Sequence, residues 1–347
     1  MLIIAREARS LSQTQLAERA GVRQGTISKT EGGILIPSPE LLTDLSKALD
    51  FPTDLFEQSD RVYGFNSTVF FHRKRHSLPD RVLRKLHAQM NLTRMRISRL
   101  LRAYPISAQF RFCRASPDEY EGGVSALARI IRAAWMLPPG PVRSVTEAIE
   151  NAGGIVVPFD FGTRQADAIS EWIEGYPPIF LINTNAEVPG DRLRLTLAHE
   201  IGHIIMHEGP GSNIEEEANL FGAEFLMPRR EIRGALYALN MAKLADHKRH
   251  WKVSMAALIQ RAYELKTITD AQRRYLYINL TRRSGTRLHE PFEGDIPREQ
   301  PQLFGRIVRQ HLTDLGFSIR ELSRMLFFAK EDEFRTEILG ERSLKLV

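Results

Sequence analysis

Residues 197–209 read LAHEIGHIIMHEG and hold three of the chain's ten histidines, at positions 199, 203 and 207. A spacing of four recurs about once per helical turn, so the run reads as a helix that is apolar apart from these rings. On a helix, residues four apart share a face, with Cβ atoms about 5–6 Å apart. His199 and His203 are thus placed to reach one tetrahedral zinc ion, and Glu200, one step round, to act as general base. The apolar neighbours Leu195, Leu197, Ile201, Ile204 and Ile205 would anchor the helix in a core and keep such a site dry. His207 lies about 80° round from His199 if the helix continues. It is therefore expected to be structural or rim-lining, not a ligand. His-Glu-x-x-His is a short pattern, and its competing reading is a helix whose histidines satisfy local hydrogen bonds.

A third ligand decides between the two readings. Downstream lies SNIEEEANLFGAEFLMP (212–228), a second helical stretch stopped by Pro228. Helical phase puts Glu215, Asn219, Gly222 and Leu226 on one stripe, and Glu217, Phe221 and Glu224 on another. Glu215 is favoured as the third metal ligand because small or apolar residues follow it, as a helix pressed against the histidine helix requires. Asn219 is then an outer support for a ligand. Glu216, Glu217 and Glu224 remain alternatives.

At 347 residues the chain is long for one domain and suits two or three. Its 43% hydrophobic and 26% charged residues supply more than one core. The single cysteine, Cys113, excludes an internal disulfide framework, a cysteine-built zinc site and an iron–sulfur cluster. MLIIAREARS has no apolar stretch of signal-peptide length, and no run approaches a membrane span. The expectation is a cytoplasmic protein with no membrane partner.

Charge is unevenly placed. Residues 61–114 carry thirteen Lys/Arg against one acid, Asp80, so the rest of this +6 chain sums to about −6. Such a block calls for a polyanion, either nucleic acid or the acidic remainder of the chain. Within it, 77–104 reads as a helix with Val82, Leu83, Leu86, Met90 and Ile97 as its apolar stripe. VFFHRKRHS (69–77) reads as a strand or arm.

Four regions follow: a helical unit at 1–58, a basic helical linker at 59–115, a helix–helix–strands–helix–helix region at 116–240, and a mostly helical region at 241–347. The fold class expected is multidomain, with an all-α domain, then an α+β domain, then a helical C-terminal region. PPIFLIN (177–183) reads equally as a buried strand or as an edge strand on which an extended peptide lies. A faint echo links LSQTQLAERAG (11–21) to FSIRELSRMLF (317–327).

The N-terminal stretch LSQTQLAERAGVRQGTISKTEGG (11–33) follows helix-turn-helix logic. Ala17 is small where two helices cross, Gly21 sits at the tight turn, and Leu16, Val22 and Ile27 form a shared core. The second helix then presents Arg23, Gln24, Thr26, Ser28 and Lys29 towards double-stranded DNA, with Gln13 placed for a phosphate. Over 1–57 the chain resembles the phage-repressor-like XRE/Cro family. It departs from that pattern at Arg23, where a capping Ser or Thr is usual, at Gly25, and at Thr30.

RLRLTLAHEIGHIIMH followed by EEEANLFGAEFLMP resembles the ImmA/IrrE zinc metallopeptidases over roughly 120–230. The resemblance implies a zincin α+β core, Zn2+ held by His199, His203 and an acidic residue, and Glu200 as base. It also implies a protein substrate, typically a transcriptional repressor, and a stress or mobile-element response. A non-proteolytic regulator that uses the zincin fold as sensor or dimerisation module is the alternative, with an antitoxin-like repressor weaker still. A palindromic operator makes a homodimer the expected state.

Overall fold

The computed structural model describes residues 1–64, 78–185, 188–209, 211–284 and 289–341. The strand or arm expected at 69–77 lies outside these residues.

Four helices open the chain: α1 (Leu2–Ala8), α2 (Gln13–Ala20), α3 (Gln24–Glu31) and α4 (Pro39–Leu49). Ser12 starts α2 with a capping box, its side chain accepting from the Gln15 backbone while Gln15 returns the bond. Gly21 ends α2 in the left-handed region at φ 66°, where a side chain would be strained. Leu16, Ala17, Ile27, Leu45 and Leu49 close the core of this unit.

Next comes α5 (Asp80–Ala103), 24 residues long. Leu83, Leu86, Met90, Ile97 and Leu100 turn towards the sheet side, whereas Ala88, Leu92 and Met95 join the core of the first four helices. The basic helix is thus a shared wall between two cores and not a solvated linker. Several of its cations are correspondingly engaged within the chain. Arg94 is buried against Glu171, Arg96 donates to the Leu326 carbonyl at 2.8 Å, and Arg99 pairs with Asp60 at 2.8 Å. Of the two polyanions weighed for this helix, the rest of the chain takes these three arginines.

Helices α6 (Gly123–Ala134) and α7 (Val145–Asn151) lead into a three-stranded sheet of β1 (Ile155–Phe159), β2 (Ala168–Glu171) and β3 (Ile179–Asn183). The strand order is β1-β3-β2, with β3 parallel to β1 and antiparallel to β2. Central β3 is buried at all five positions, which explains why its sequence is apolar without alternation. The edge-strand reading of 177–183 is therefore corrected: both edges of β3 are taken, and β1 and β2 are the edge strands of the described sheet. Val156, Ala168, Phe180 and Ile182 face one core, and Ile155, Ile169, Ile179 and Leu181 the other.

On the first face lie α8 (Gly190–Met206) and α9 (Ile214–Leu226), followed by α10 (Arg229–Ile232), α11 (Met241–Trp251), α12 (Met255–Glu264) and α13 (Asp270–Ser284). Leu244, Trp251, Leu258 and Leu276 share a core with Leu197, Ile201 and Phe221. The boundary expected at 240 therefore divides no core. On the second face α14 (Leu303–Thr313), α15 (Ile319–Met325) and α16 (Glu331–Glu337) pack with α5. The faint echo has a local counterpart: Ser318 and Glu321 form a second capping box, and Phe327 takes φ 61° where Gly21 takes 66°. Among the described residues no helix is long and apolar enough to cross a membrane. The chain is multidomain, with an all-α domain, an α+β region and a mostly helical C-terminal region.

Candidate metal centre and nucleic-acid face

The site is built by two helices that cross closely at a glycine on each. A Cβ on Gly222 of α9 would stand 3.0 Å from the His199 backbone nitrogen, and one on Gly202 of α8 would stand 3.0 Å from the Phe221 Cβ. Glycine at these two positions lets α9 lie this close to α8 without either helix giving way. That approach carries Glu215 to the histidines.

His199 Nε2 and His203 Nε2 are 2.9 Å apart. Glu215 places one carboxylate oxygen 3.4 Å from His203 Nε2 and the other 3.7 Å from His199 Nε2. Tetrahedral zinc with bonds of about 2.0–2.1 Å needs ligand atoms roughly 3.3 Å apart. The three groups converge within that range, each offering an atom within 4.8 Å of the others.

Tautomers follow from the outer partners. His199 Nδ1 meets Asn219 Oδ1 at 2.9 Å. An amide oxygen only accepts, so Nδ1 carries the proton and Nε2 keeps its lone pair. His203 Nδ1 lies 3.0 Å from His207 Nδ1, and His207 Nε2 lies 2.9 Å from a Glu217 oxygen. The carboxylate takes the Nε2 proton of His207, so His207 Nδ1 accepts from His203 Nδ1. Both imidazoles thereby turn an unprotonated Nε2 towards Glu215. Burial pushes the His207 pKa below the ordinary histidine value, against the opposing effect of its hydrogen bond to Glu217.

Glu200 is buried, and its carboxylate accepts from the Ser170 hydroxyl at 2.7 Å. Ser170 belongs to edge strand β2, whose next residue, Glu171, turns the other way and pairs with Arg94 of α5. Burial raises the Glu171 pKa, with Arg94 opposing it. Arg114 donates to the Ile204 and His207 carbonyls at 2.7 and 2.9 Å, and so ties down the end of the histidine helix.

The remaining acids are placed elsewhere. Glu216 is exposed, Glu217 belongs to His207, and Glu224 is buried against Arg261. Three participants carry no local sequence signal for their roles. Ser170 is an ordinary strand serine, and the pairing of Arg94 with Glu171 spans 77 residues.

At the other end of the molecule, Ile27 is the one buried residue of α3. Arg23, Gln24, Ser28 and Lys29 are exposed, and Thr26 is half-buried. Gln13 donates to Glu31 at 2.7 Å and accepts from Gln24 at 2.7 Å. Arg6 holds the same Glu31 at 2.6 Å. The pairing of Gln13 with Gln24 joins the two helices at the face expected to meet DNA.

A histidine-bearing helix under a small sheet, crossed by an acid-bearing helix and joined to a helix-turn-helix unit, fits a protease-like domain fused to a DNA-binding domain. Comparison with protein families agrees. Residues 150–263 match the M78 peptidase family, described as the IrrE N-terminal-like domain, and residues 2–56 match the helix-turn-helix family. The chain is a fusion of these two domains. Compared with curated proteins, it matches none.

Proposed function

We propose that the chain is a DNA-bound regulator whose second domain is a zinc-dependent endopeptidase, with a transcriptional repressor or related regulatory protein as substrate. One observation carries this reading: two imidazoles and a carboxylate converge beside a buried glutamate on the same helix turn.

His199, His203 and Glu215 would hold the metal. Zinc bound there supplies Lewis acidity for water and for a peptide carbonyl. Glu200 accepts the proton that water loses as it adds to the carbonyl carbon, and returns it to the departing amine. Ser170 holds the Glu200 carboxylate for that transfer. Edge strand β2 offers backbone groups along which an extended substrate segment can align. Gln13, Arg23, Gln24, Thr26, Ser28 and Lys29 would face the operator, and two copies would pair across its two halves.

The deciding experiment compares wild type with Glu200→Gln. Both are assayed for bound zinc and then incubated with the regulatory proteins encoded beside the gene, with and without DNA. Equal zinc with cleavage by wild type alone supports the peptidase. Identical behaviour of the two proteins in every assay sinks it and leaves the non-proteolytic regulator.

A further inference from the structure

Helix α13 carries Arg273, Arg274, Arg282 and Arg283 against a single acid, Asp270. Between this helix and the segment at 289–290 lies a cavity of about 800 Å3. Arg273, Arg274 and Arg282 line it, with Tyr277, Ile278 and Leu280 between them. Neither the metal ligands nor the DNA-facing helix belongs to this wall.

We propose that this cavity docks an acidic stretch of the protein substrate, away from the bond that is cut. The inference rests on the peptidase reading and adds a charge requirement to it. Charge is the first argument. Asp270 accepts from Arg273 at 2.7 Å and from Arg274 Nε at 2.7 Å, so two guanidinium groups share one carboxylate. Arg274 still has 75% of its side chain exposed, and Arg282 is exposed too. The acid in the wall itself, Glu290, is engaged within the chain. It accepts from buried Lys248 at 3.1 Å and from the Met255 and Ala256 nitrogens at 2.7 and 2.9 Å. The arginines therefore keep a net positive charge.

Continuity with the metal centre is the second argument. Ala256 and Tyr277 line this cavity and also border the space beside His199. The Tyr277 hydroxyl donates to the Ala256 carbonyl at 3.2 Å, so the two form one partition. A peptide that leaves the metal across this partition arrives at the arginines. Shape is the third argument. Arg273 lies 4.0 Å over the Tyr263 ring and is tied to Asp270, so its guanidinium is held in place. A concave wall that mixes guanidinium groups with Tyr277, Ile278 and Leu280 suits carboxylates interspersed with apolar side chains. Duplex DNA presents a ridge of phosphates instead, which cations on an open face meet better.

The test uses the full-length, zinc-loaded protein and three labelled octapeptides read by fluorescence anisotropy: glutamate–leucine, glutamine–leucine and lysine–leucine. The glutamate peptide should bind about tenfold tighter than the glutamine one, as two or three partly screened ion pairs together give. The lysine peptide should bind weakest. The gap should narrow as salt is raised, because the screening length falls. Arg274→Glu with Arg282→Glu should abolish it, with zinc content and acetohydroxamate affinity unchanged. Arg282→Lys should retain most of it. A hydroxamate joined to the glutamate peptide through glycine linkers of graded length should bind tighter than either part alone at one linker length. In the double variant that gain should vanish.

Equal binding of the glutamate and glutamine peptides overturns the docking site and leaves the metal centre standing. So does a gap that survives the double variant, or the absence of a gain at every linker length. Displacement of the glutamate peptide by a short random-sequence duplex would assign the cavity to nucleic acid and overturn the proposal as well. Failure of the wild type to bind zinc or acetohydroxamate overturns the peptidase reading, and the substrate role of the cavity falls with it.

Discussion

The two ends of the molecule hold their polar side chains in opposite ways. At the metal centre the Nδ1 atoms of both ligand histidines are held, and the run from His203 through His207 to Glu217 fixes one of those partners in turn. On α3 a single buried residue, Ile27, anchors a helix whose other side chains are exposed or half-buried. Chemistry at a bond needs atoms held to a fraction of an ångström, which takes a supporting shell. Reading a nucleic-acid surface needs long side chains free to settle against phosphates and base edges. The contrast makes a claim: changes at one end should alter metal or turnover, and changes at the other should alter DNA affinity, with little crossing over.

The largest expected effect falls on Glu200. Glu200→Gln should lower peptidase turnover by about 10²–10⁴-fold, the usual worth of a positioned general base. Zinc content and DNA affinity should stay at wild-type values. Loss of zinc in this variant would mean that the Glu200–Ser170 bond shapes the ligand set and not the proton transfer.

Where the two ends meet, at α5, the separation should fail. Arg94 and Glu171 each keep 3% of their side-chain surface exposed, so removing one leaves the other charged and buried. Arg94→Met should reduce unfolding free energy in urea by about 3–5 kcal/mol, and Arg94→Met with Glu171→Leu should recover most of it. Ser170 adjoins Glu171 on β2, and Leu92 and Met95 beside Arg94 pack in the DNA-binding core. The single variant should thus disturb zinc binding and DNA binding together. A drop confined to one of them would show that α5 does not bind the two ends into one unit.

A smaller effect is expected one layer out from the metal. His207→Ala should weaken zinc affinity by about 10–100-fold, measured by chelator competition, because His203 loses the acceptor that fixes its ring. Glu217→Gln should weaken it less, since an amide oxygen still accepts from His207. Unchanged affinity in both would reduce the relay to packing.

These residues also mark how far the placement of side chains is legible in sequence. The pairing of His199 with His203, and the stripe of Glu215, Asn219 and Gly222, are legible because helical periodicity is local. The stripe does face α8. What was illegible is nonlocal. Burial on both faces gives β3 the same apolar run whether or not it lies at an edge, and only pairing with β1 and β2 decides. The charge of 61–114 was visible, but a count of arginines does not say that Arg94 will find an acid 77 residues away. The position of His207 off the ligand face was visible too. Its role was not, because Glu217 reaches it from another helix.

The smallest effect lies on the exposed face, and it tests the comparison most directly. Lys29 is exposed in the last turn of α3, next to the loop that leads to α4. If it meets one phosphate, Lys29→Ala should weaken binding to a random-sequence duplex several-fold. The slope of log affinity against log salt should become shallower by about 0.9, one phosphate's worth of released counterion. Arg23→Gln should do the same if Arg23 also touches the backbone; a change confined to particular sequences would instead place it on a base edge. Neither variant touches α8, so zinc affinity should not move. A shift in zinc affinity with Lys29→Ala would break the contrast between the two ends. Unfolding free energy should change by less than about 0.5 kcal/mol, as expected for an exposed side chain, so a lost salt slope could not be put down to a damaged fold.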